Sequence, residues 1–516
     1  MKKFVKQAIG ASLTNDQKLE NFKRKFAGKN KAEIFSNSLI IKAYRDLAAH
    51  KEIKVNTKFE KVLKLKKTRT ISGVTPVAVF TKPFSCPGEC VYCPVQKGIP
   101  KSYLDDEPAV MRAVTANFSA KKQVENRLQA LYQIGHPTDK IELIVMGGTF
   151  SAIPYSERKK FILECLEVCN KKKSKTLKEA QKNNEKALHR LVGVTFETRP
   201  DLIDELEIKR LRELGGTRVA IGVQSIYDDV LEKVKRGHKI KATILATQLL
   251  KDAGFKVCYH LMPNLPGSTF KKDFEMFKKV FNNPDFCPDM VKIYPCVVTY
   301  QAPIYKWYKK GKFEPYTDQE LIELLIKIKQ VLPEWVRVNR LGRDIPIGNI
   351  AGGNKISNIR QVVQRKMKKK SLKCQCIRCR EIRAEIASSV QHLVLKADRY
   401  LASEGEEHFL QYVDKNNNLY ALLRLRIPGK KVVFPVLKNS SIIRELHTFG
   451  PAVPISKKAP IEPQHRGLGK KLIKKAEEIT KKAGLAKISV ISGIGVRDYY
   501  RKLGYKLVDN YMVKYV

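Results

Sequence analysis

Three cysteines within eight residues, Cys86, Cys90 and Cys93, constrain this chain more than any other feature. They stand in a loop rich in Pro and Gly that follows an apolar, strand-like run at residues 76–80. Thiolates this close cannot all satisfy disulfide geometry, but they can converge on a metal ion or an iron–sulfur cluster. Three protein ligands on a [4Fe–4S] cluster leave one iron open to a substrate or cofactor. The alternative is a structural zinc site that lacks its fourth ligand.

From about residue 71 the sequence alternates between apolar, β-rich runs and amphipathic helical segments. The six runs are residues 77–80, 141–146, 192–196, 219–223, 257–261 and 291–294. Six parallel strands with crossover helices predict an α/β fold, as a closed barrel or as a partial (β/α)6 barrel. Barrels of this kind place their chemistry at the carboxyl ends of the strands.

Polar residues follow four of these runs, at the predicted carboxyl ends of the strands. They are the cysteine triplet, then Gly147, Gly148 and Thr149, then Glu197 and Arg199, then Gln224 and Ser225. Core packing does not explain this co-location, so we predict one site there. For Glu197 and Arg199 a local ion pair is the alternative interpretation.

A second cysteine group, Cys374, Cys376 and Cys379, follows a basic run at residues 365–370. Spacing this tight indicates metal binding, and a structural zinc fits it better than a second redox cluster. A fourth ligand is not visible beside it. The distant candidate is Cys296, whose alternative role is that of a buried free thiol.

From about residue 386 a third kind of unit is predicted. Strand-like runs at residues 392–396, 420–427 and 441–450 precede a glycine-bearing basic turn, a helix at 472–483 and a strand at 487–492. The turn contains Gln464, Arg466, Gly467, Leu468, Gly469 and Lys470. A turn of this kind at a helix N-terminus forms an anion site, which favours a pyrophosphate such as that of coenzyme A.

Charge is the second large fact about the chain. It has 99 Lys and Arg against 51 Asp and Glu, a net charge of +48, which predicts a polyanionic partner such as a nucleic acid. Residues 1–70 alone carry 19 Lys and Arg against 6 Asp and Glu, with helical apolar spacing at 17–26 and 34–48. The lysine-rich stretch 171–186 is predicted to be a solvated loop or a frayed helix. Clustered cysteines, a polar N-terminus and the absence of a long apolar run predict a cytoplasmic protein without a membrane span.

Together these residues resemble the catalytic subunit of the Elongator complex in its archaeal single-chain form. The matching motifs, besides the cysteine triplet, are residues 103–112, 146–150, 196–201, 222–225, 235–238, 446–450 and 497–505. The gap between Cys86 and Cys90 is shorter than in the eukaryotic relatives and typical of radical-SAM enzymes at large. The Cys374–Cys379 group is not universal in the family, so its role is expected to be architectural.

The resemblance implies four parts: a basic helical tRNA-binding region at 1–70, a radical-SAM domain at 71–340, a linker with a zinc knuckle at 341–385 and a GNAT-type acetyltransferase domain at 386–516. The implied product is 5-carboxymethyluridine at the wobble position of tRNA, made with acetyl-CoA and S-adenosylmethionine. The anticodon stem-loop of tRNA is the expected partner, and the chain is expected to act without other Elongator subunits, as a monomer or homodimer.

The resemblance also assigns roles in the radical-SAM domain. The first cysteine triplet would hold three irons of a [4Fe–4S] cluster, whose fourth iron binds S-adenosylmethionine. Gly147, Gly148 and Thr149 would leave room for its methionine moiety. Glu197 and Arg199 would orient it, and Gln224 and Ser225 are weaker candidates for contacts to its ribose.

In the acetyltransferase domain, Gln464 to Lys470 would bind coenzyme A, and Tyr499 and Tyr500 would position acetyl-CoA. One of the two tyrosines is alternatively a core residue. No base for thioester hydrolysis is identifiable, although Glu445 and His447 lie on a nearby strand. A protein lysine acetyltransferase with a structural cluster stays open as the alternative function. A scaffold with degenerate sites is disfavoured by the intact cysteine triplet and the Gly147-Gly148-Thr149 turn.

Overall fold

Four helices around an aromatic core form the N-terminal part of the chain. The computed structural model describes residues 1–31, 33–65, 70, 72–382, 392–429, 432–450 and 467–516. The helices are α1 (Lys2–Gly10), α2 (Asp16–Asn30), α3 (Asn37–Ala49) and α4 (Thr57–Leu63). The ring of Phe4 meets those of Phe22, Phe26 and Phe35 edge-on, with centroids 5.0–5.6 Å apart. The predicted basic helical segment at the N-terminus is confirmed.

A seven-stranded parallel sheet forms the centre of the molecule. Its strands, in spatial order, are β1 (Thr75–Phe80), β2 (Lys140–Met146), β3 (Arg190–Thr198), β4 (Arg218–Gln224), β5 (Lys256–Leu261), β6 (Met290–Ile293) and β8 (Arg337–Leu341). A small antiparallel pair joins β7 (Val298–Thr299) to β9 (Ile350–Gly352). All six predicted strands are present and parallel, and β8 adds a seventh. Because β1 and β8 do not pair in this sheet, the barrel is open, as the partial-barrel prediction requires.

Helices pack around this sheet, and most of them connect one of its strands to the next. They are α5 (Pro108–Thr115), α6 (Ala120–Gln133), α7 (Tyr155–Asn170), α8 (Leu177–Asn184), α9 (Glu205–Glu213), α10 (Asp228–Lys233), α11 (Ile240–Asp252), α12 (Phe270–Asn282), α13 (Ile304–Lys309), α14 (Asp318–Val331), α15 (Ile359–Lys369) and α16 (Ile377–Arg380). The alternation of apolar strands and amphipathic helices is what the sequence pattern predicted. No helix of the described segments is long and apolar enough to cross a membrane.

A second seven-stranded sheet forms the C-terminal part. Its strands, in spatial order, are β10 (Val394–Ala402), β11 (Gly405–Val413), β12 (Leu419–Ile427), β13 (Ser440–Thr448), β14 (Lys487–Val490), β16 (Tyr511–Tyr515) and β15 (Lys506–Val508). Its helices are α17 (Leu468–Lys482) and α18 (Arg497–Arg501). Only β13 and β14 pair in parallel. This is the predicted GNAT-like sheet, and β11, β15 and β16 are the strands that the sequence pattern did not indicate.

The C-terminal sheet packs against the amino ends of the barrel strands. Arg212 donates hydrogen bonds to the carbonyls of Ser492 and Asn510, and Lys256, the first residue of β5, pairs with Glu445 at 3.1 Å. Since the cysteine loop follows the carboxyl end of β1, the two predicted active sites lie at opposite ends of one barrel.

The lysine-rich stretch 171–186 is more ordered than predicted. Thr176 caps α8 by accepting a hydrogen bond from the amide of Glu179, and Asn184 binds the backbone at both ends of the following turn. Glu185 accepts hydrogen bonds from Arg497 and Arg501 of the C-terminal part. The prediction of a solvated loop or frayed helix was therefore wrong, because contacts with a distant part of the chain fix this segment.

Candidate active site and metal centre

The loop after β1 brings the first cysteine triplet to the carboxyl end of the barrel. Cys86 is half-buried, while Cys90 and Cys93 are buried, and all three are free thiols. The amide of Cys93 donates a hydrogen bond to the carbonyl of Cys90 at 3.1 Å, which folds the loop back on itself. The hydroxyl of Thr149, in the turn that follows β2, lies 3.4 Å from the Sγ atom of Cys86. Two polar signatures that are far apart in sequence therefore meet, as predicted.

The first cysteine triplet is less compact than the second. Among the described residues, only Cys374, Cys376 and Cys379 have three ligand atoms within 4.8 Å of one another, the spacing that a single ion requires. The Cys86 triplet does not meet that limit. The Cys90 and Cys93 thiols contact each other, so the Cys86 thiol is the one that lies beyond this limit.

Two glycines after β2 provide a backbone that other residues do not adopt readily. Gly147 has φ of +138° and Gly148 has φ of +91°. A Cβ atom on Gly147 would lie 2.2 Å from the hydroxyl of Thr81, and one on Gly148 would lie 3.0 Å from the carbonyl of Lys101. These glycines let the chain after β2 approach the neighbouring strand closely.

Arg199 and Arg236 flank the cysteine loop. Arg199 binds Asp201 and donates to the carbonyl of Arg236 at 2.8 Å. Its Nη1 atom is buried without a partner among the described residues, and a Cβ on Gly88 would lie 2.1 Å from it. An unpaired guanidinium nitrogen beside the cysteine loop leaves a donor for an anionic group of a bound cofactor.

Arg236 is a residue that the sequence argument left without a role. Its Nη1 atom lies 3.4 Å from the Sγ atom of Cys90. A hydrogen bond from Cys93 and the charge of Arg236 outweigh burial and lower the pKa of the Cys90 thiol. The only available signal was its place in the family-like motif at residues 235–238.

Glu197 lies in a polar cluster and does not pair with Arg199. Its carboxylate accepts hydrogen bonds from Lys292 at 2.5 Å and from Tyr103 at 2.8 Å, and His260 lies 3.8 Å away. Burial alone would raise the pKa of Glu197, but the charge of Lys292 and the hydrogen bonds from Lys292 and Tyr103 outweigh it and lower that pKa to about 2. Burial and then Lys292 lower the pKa of His260 to about 3, so its imidazole is neutral. The side chains of Glu197 and Arg199 thus have separate partners, and sequence reasoning missed Lys292, Tyr103 and His260.

Gln224 and Ser225 close β4 in an unusual conformation. Gln224 has φ of +68°, and its buried Oε1 atom has no partner among the described residues. The hydroxyl of Ser225 accepts a hydrogen bond from the amide of Tyr227 at 3.2 Å. Gln224 therefore has a free acceptor to offer a ligand, whereas the Ser225 hydroxyl already serves the following turn.

A cavity of about 980 Å³ runs through the barrel and reaches the C-terminal sheet. Lys140 and Met146, the first and last residues of β2, both line it. At a rise of about 3.3 Å per residue the cavity follows this strand for roughly 20 Å. Lys292 lines its carboxyl end and binds Glu197, and Gly469 and Tyr499 line it on the C-terminal side.

The start of α17 supplies the predicted anion site at the opposite end. Gly467, with φ of +73°, precedes the helix, Leu468 is its first residue and is buried, and Lys470 lines the cavity. A Cβ on Gly469 would lie 3.0 Å from the hydroxyl of Tyr499. Gln464 and Arg466 of the predicted turn lie outside the described residues.

The two tyrosines after β14 have different surroundings. Tyr499 is 36% exposed, and burial of the rest of its side chain raises its pKa to about 12, so its phenol stays protonated. Tyr500 is buried in the core of the C-terminal part and also lines the cavity.

Glu445 and His447 also line the cavity. Glu445 binds Lys256 and Arg424, whose charges outweigh burial and lower its pKa, which makes it a weak base. The Nε2 atom of His447 lies 2.7 Å from the carbonyl of Ser72. Burial lowers the pKa of His447 and outweighs the opposing charge of Glu445. A neutral His447 that donates through Nε2 has Nδ1 left as an acceptor.

The second cysteine group is compact and lies against α14. The three thiols fall within 4.8 Å of one another, and the ammonium of Lys329 lies 3.4 Å from the Sγ atom of Cys379. Cys296 does not belong to this group. It is buried behind the first triplet, in the same apolar cluster as Cys90, and burial raises its pKa to about 12. The suggestion that Cys296 is a fourth ligand was wrong, and the buried free thiol is the interpretation that fits.

Comparison with known proteins agrees with this geometry. Residues 83–280 match the Radical SAM superfamily, and residues 288–369 match the Radical_SAM C-terminal domain. The tRNA uridine(34) acetyltransferase of Methanocaldococcus infernus is 48% identical over 467 residues, which cover 88% of each chain. The Elongator complex protein 3 of Homo sapiens is 40% identical over 88% of this chain and 86% of its own. A solved structure of archaeal Elp3 from Methanocaldococcus infernus, with an N-terminal deletion, covers 87% of this chain and 100% of that chain at 45% identity, with a TM-score of 0.76.

Proposed function

The chain belongs to the family of Elongator complex protein 3 and the tRNA uridine(34) acetyltransferases, and from this premise we propose that it modifies the wobble uridine of tRNA. The proposed product is 5-carboxymethyluridine, with acetyl-CoA as the carbon donor. The observation that carries the proposal is the cavity, because it runs from Met146, at the carboxyl end of β2, to Gly467 and Gly469 at the start of α17.

The radical-SAM domain implies a [4Fe–4S] cluster and S-adenosylmethionine. Cys86, Cys90 and Cys93 would hold the cluster, which with S-adenosylmethionine supplies radical chemistry when bound. The unpaired Nη1 of Arg199 and Oε1 of Gln224 are buried polar atoms that suit the charged and hydroxyl groups of that cofactor.

For Glu197 we propose a role other than orienting S-adenosylmethionine, which is the role that the family resemblance implies. Its carboxylate is already held by Lys292 and Tyr103, so it positions Lys292 at the carboxyl end of the cavity. The charge of Lys292 at that end favours an electron-rich carbonyl or base edge. Arg199 remains the residue proposed to contact the cofactor directly.

At the other end, acetyl-CoA is proposed to bind at the start of α17. The first amides of this 15-residue helix and Lys470 provide positive charge for the pyrophosphate. Gly469 lets the ligand pass close to the backbone, and the protonated hydroxyl of Tyr499 is placed to donate to the thioester carbonyl. His447 is the proposed base that activates water, because its neutral ring faces the same cavity.

We propose that Cys374, Cys376 and Cys379 bind a structural zinc ion. Three thiols within 4.8 Å are consistent with one tetrahedral ion. The nearby ammonium of Lys329 offsets the excess negative charge of three thiolates. Within the described ranges no fourth protein ligand accompanies them.

The charge distribution supports a proposal about where tRNA binds. Residues 1–70 are proposed to bind tRNA together with the barrel mouth, since they carry 19 Lys and Arg against 6 Asp and Glu. For the rest of the chain we propose the limits that the sequence predicts, with a radical-SAM part at 71–340, a linker at 341–385 and an acetyltransferase part at 386–516. The protein is proposed to be cytoplasmic and to work as a monomer or homodimer without further subunits.

The test is anaerobic incubation of reconstituted protein with tRNA, acetyl-CoA, S-adenosylmethionine and a reductant, followed by mass analysis of the nucleosides. We expect a carboxymethyl group on uridine 34. Cys90→Ala should abolish it and leave tRNA binding intact, whereas the matched control Cys169→Ala, at a buried thiol of α7, should retain activity.

Two outcomes would contradict the proposal. If no tRNA nucleoside gains mass while a lysine peptide is acetylated, the chain is a protein acetyltransferase. If Cys90→Ala loses tRNA binding and activity together, the triplet is structural. Metal analysis of the same samples should give iron and sulfide that depend on Cys90, and zinc that depends on Cys376.

A further inference from the structure

An exposed segment on the carboxyl-end face of the barrel combines aromatic rings with lysines. We call residues 300–312 the aromatic–basic patch. It contains Tyr300, Tyr305, Trp307 and Tyr308 among Lys306, Lys309, Lys310 and Lys312, and it has no Asp or Glu. The segment begins after β7 and includes α13. Neither the cluster nor the coenzyme A site accounts for it.

The patch is built on the cysteine loop. The amide of Val95 donates to the carbonyl of Gln301 at 3.2 Å, and the amide of Ile304 donates to the carbonyl of Val91 at 2.7 Å. Ile304 is fully buried in the apolar cluster that also contains Cys90. These hydrogen bonds fix the patch beside the loop that carries the first cysteine triplet.

Tyr300 is the ring that this arrangement leaves open. Its side chain is 51% exposed, and Tyr305 meets it edge-on with centroids 5.2 Å apart. Its backbone is held because Gln301 binds the side chain of Asn349, which in turn binds Asp106. Tyr308 differs, since its ring lies 2.9 Å from the position of a Cβ on Gly352 and is packed against that backbone.

The charges of the patch are available for a partner. Lys306, Lys309, Lys310 and Lys312 are all exposed. Within the segments that the structure describes, none of the four forms a salt bridge with a carboxylate. Lys97, on the cysteine loop, is exposed as well. Unpaired lysines around a fixed aromatic ring suit phosphate groups and the face of a base.

We propose that the aromatic–basic patch binds single-stranded RNA beside the reactive centre, with Tyr300 stacking on a base of the anticodon loop. The lysines bind the flanking phosphates. Single-stranded loops can splay their bases onto aromatic side chains, whereas duplex RNA conceals the faces of its bases, so the patch selects the loop over the stem. This inference rests on the proposed function and names the surface through which the tRNA is gripped.

The test uses full-length protein and two RNAs, an anticodon hairpin with 2-aminopurine in its loop and a blunt duplex of equal length. Tyr300→Ala should weaken hairpin binding about tenfold and change duplex binding by less than about twofold, since one base stack is removed. Tyr300→Phe keeps the ring and should bind as the wild type does. Tyr515→Ala removes a tyrosine that is 77% exposed on β16 and is the matched control, with unchanged binding.

The lysines are tested by the salt dependence of the same two equilibria. Replacing all four with Gln should make the log–log salt slope less steep, by about 0.7 for each phosphate of a single strand that the variant no longer neutralises. The 2-aminopurine signal should also change on binding to wild-type protein and change less with Tyr300→Ala.

Several results would contradict the proposal that the aromatic–basic patch binds single-stranded RNA. Wild-type hairpin affinity in Tyr300→Ala would remove the stacking role, and equal losses of affinity for hairpin and duplex would indicate a non-selective charge effect. Tight capture of a second copy of the chain through this face, abolished by Tyr300→Ala, would make it a protein interface instead. If the wild-type protein carboxymethylates tRNA and Tyr300→Ala still binds the hairpin with wild-type affinity, only the proposed role of the patch is refuted. If the wild-type protein does not carboxymethylate tRNA but its binding of the hairpin still depends on Tyr300, only the proposed function is refuted.

Discussion

Replacing Arg444 should test whether buried charges hold the C-terminal sheet on the barrel. Arg444 is fully buried, and its guanidinium donates to both oxygens of Glu407 and Asp289 and to the carbonyl of Phe255. Glu407 belongs to the C-terminal sheet, whereas Asp289 precedes β6 of the barrel. One side chain therefore neutralises two carboxylates, one on each side of the interface.

The expected loss of unfolding free energy depends on the buried carboxylates that Arg444→Met leaves without this cation. Removing one partner of a buried ion pair costs about 3–5 kcal/mol of unfolding free energy. We expect a value near the lower figure, because Lys251 at 3.3 Å and Arg426 at 3.1 Å still neutralise Glu407. Arg501→Met is the control, since Arg501 is 38% exposed and its pair with Glu185 should contribute less than about 1 kcal/mol.

The assay is urea unfolding followed by tryptophan fluorescence. The chain has two tryptophans, and a Trp307→Phe background leaves Trp335 as the reporter. Trp335 lies at the interface, stacked on Tyr400 with centroids 4.1 Å apart, and its carbonyl accepts a hydrogen bond from Arg424. A change in midpoint with a constant slope measures the stability of the unit that contains the interface.

A midpoint shift in Arg444→Met that is no larger than the shift in Arg501→Met would contradict this role of Arg444. Non-additivity gives a second check. Arg444→Met combined with Glu407→Met should lower the unfolding free energy by less than the sum of the two single effects, because both single variants lose the same Arg444–Glu407 contact, which the double variant loses only once.

Of three further predictions, two concern the ends of the cavity and the third concerns tRNA binding. Lys292→Met should lower the unfolding free energy by about 3–5 kcal/mol at neutral pH, because it leaves Glu197 buried without its cation. In the wild type the pKa of Glu197 is about 2 against an ordinary 4.5, so its contribution is present above pH 4.5 and is lost as the pH falls toward 2. The difference in unfolding free energy between the wild type and Lys292→Met, measured by urea unfolding, should therefore become smaller as the pH falls. A difference that does not change with pH would contradict this prediction. Gly469→Val should weaken coenzyme A binding in calorimetry by about 1–3 kcal/mol, because the new side chain meets the Tyr499 hydroxyl; unchanged affinity would place the ligand elsewhere. Affinity for tRNA should fall steeply between low and moderate salt, and a flat response would argue against a polyanionic partner.

Local pattern was enough to predict the layout of the fold. The six barrel strands, their crossover helices and the strand–turn–helix at α17 each follow from apolar periodicity and glycine placement over about ten residues. Strand β8 was missed because its sequence, Arg-Val-Asn-Arg-Leu, carries polar residues that face the cavity. Segment 171–186 was misjudged because its order depends on Arg497 and Arg501, more than 300 residues away.

The sequence by itself determined which chemical groups are available: two cysteine triplets, a glycine-bearing helix start and a large positive charge. Only the tertiary structure decided how they are used. Lys292 reaches Glu197 across 95 residues, and Arg236 reaches Cys90 across 146. The barrel places the cysteine loop at the carboxyl ends of its strands and the start of α17 at the amino ends, and one cavity runs along β2 between these two ends. The physical reason is that spacing records which ligands are neighbours along the chain, whereas charge, burial and pKa depend on neighbours in space, which packing alone brings together.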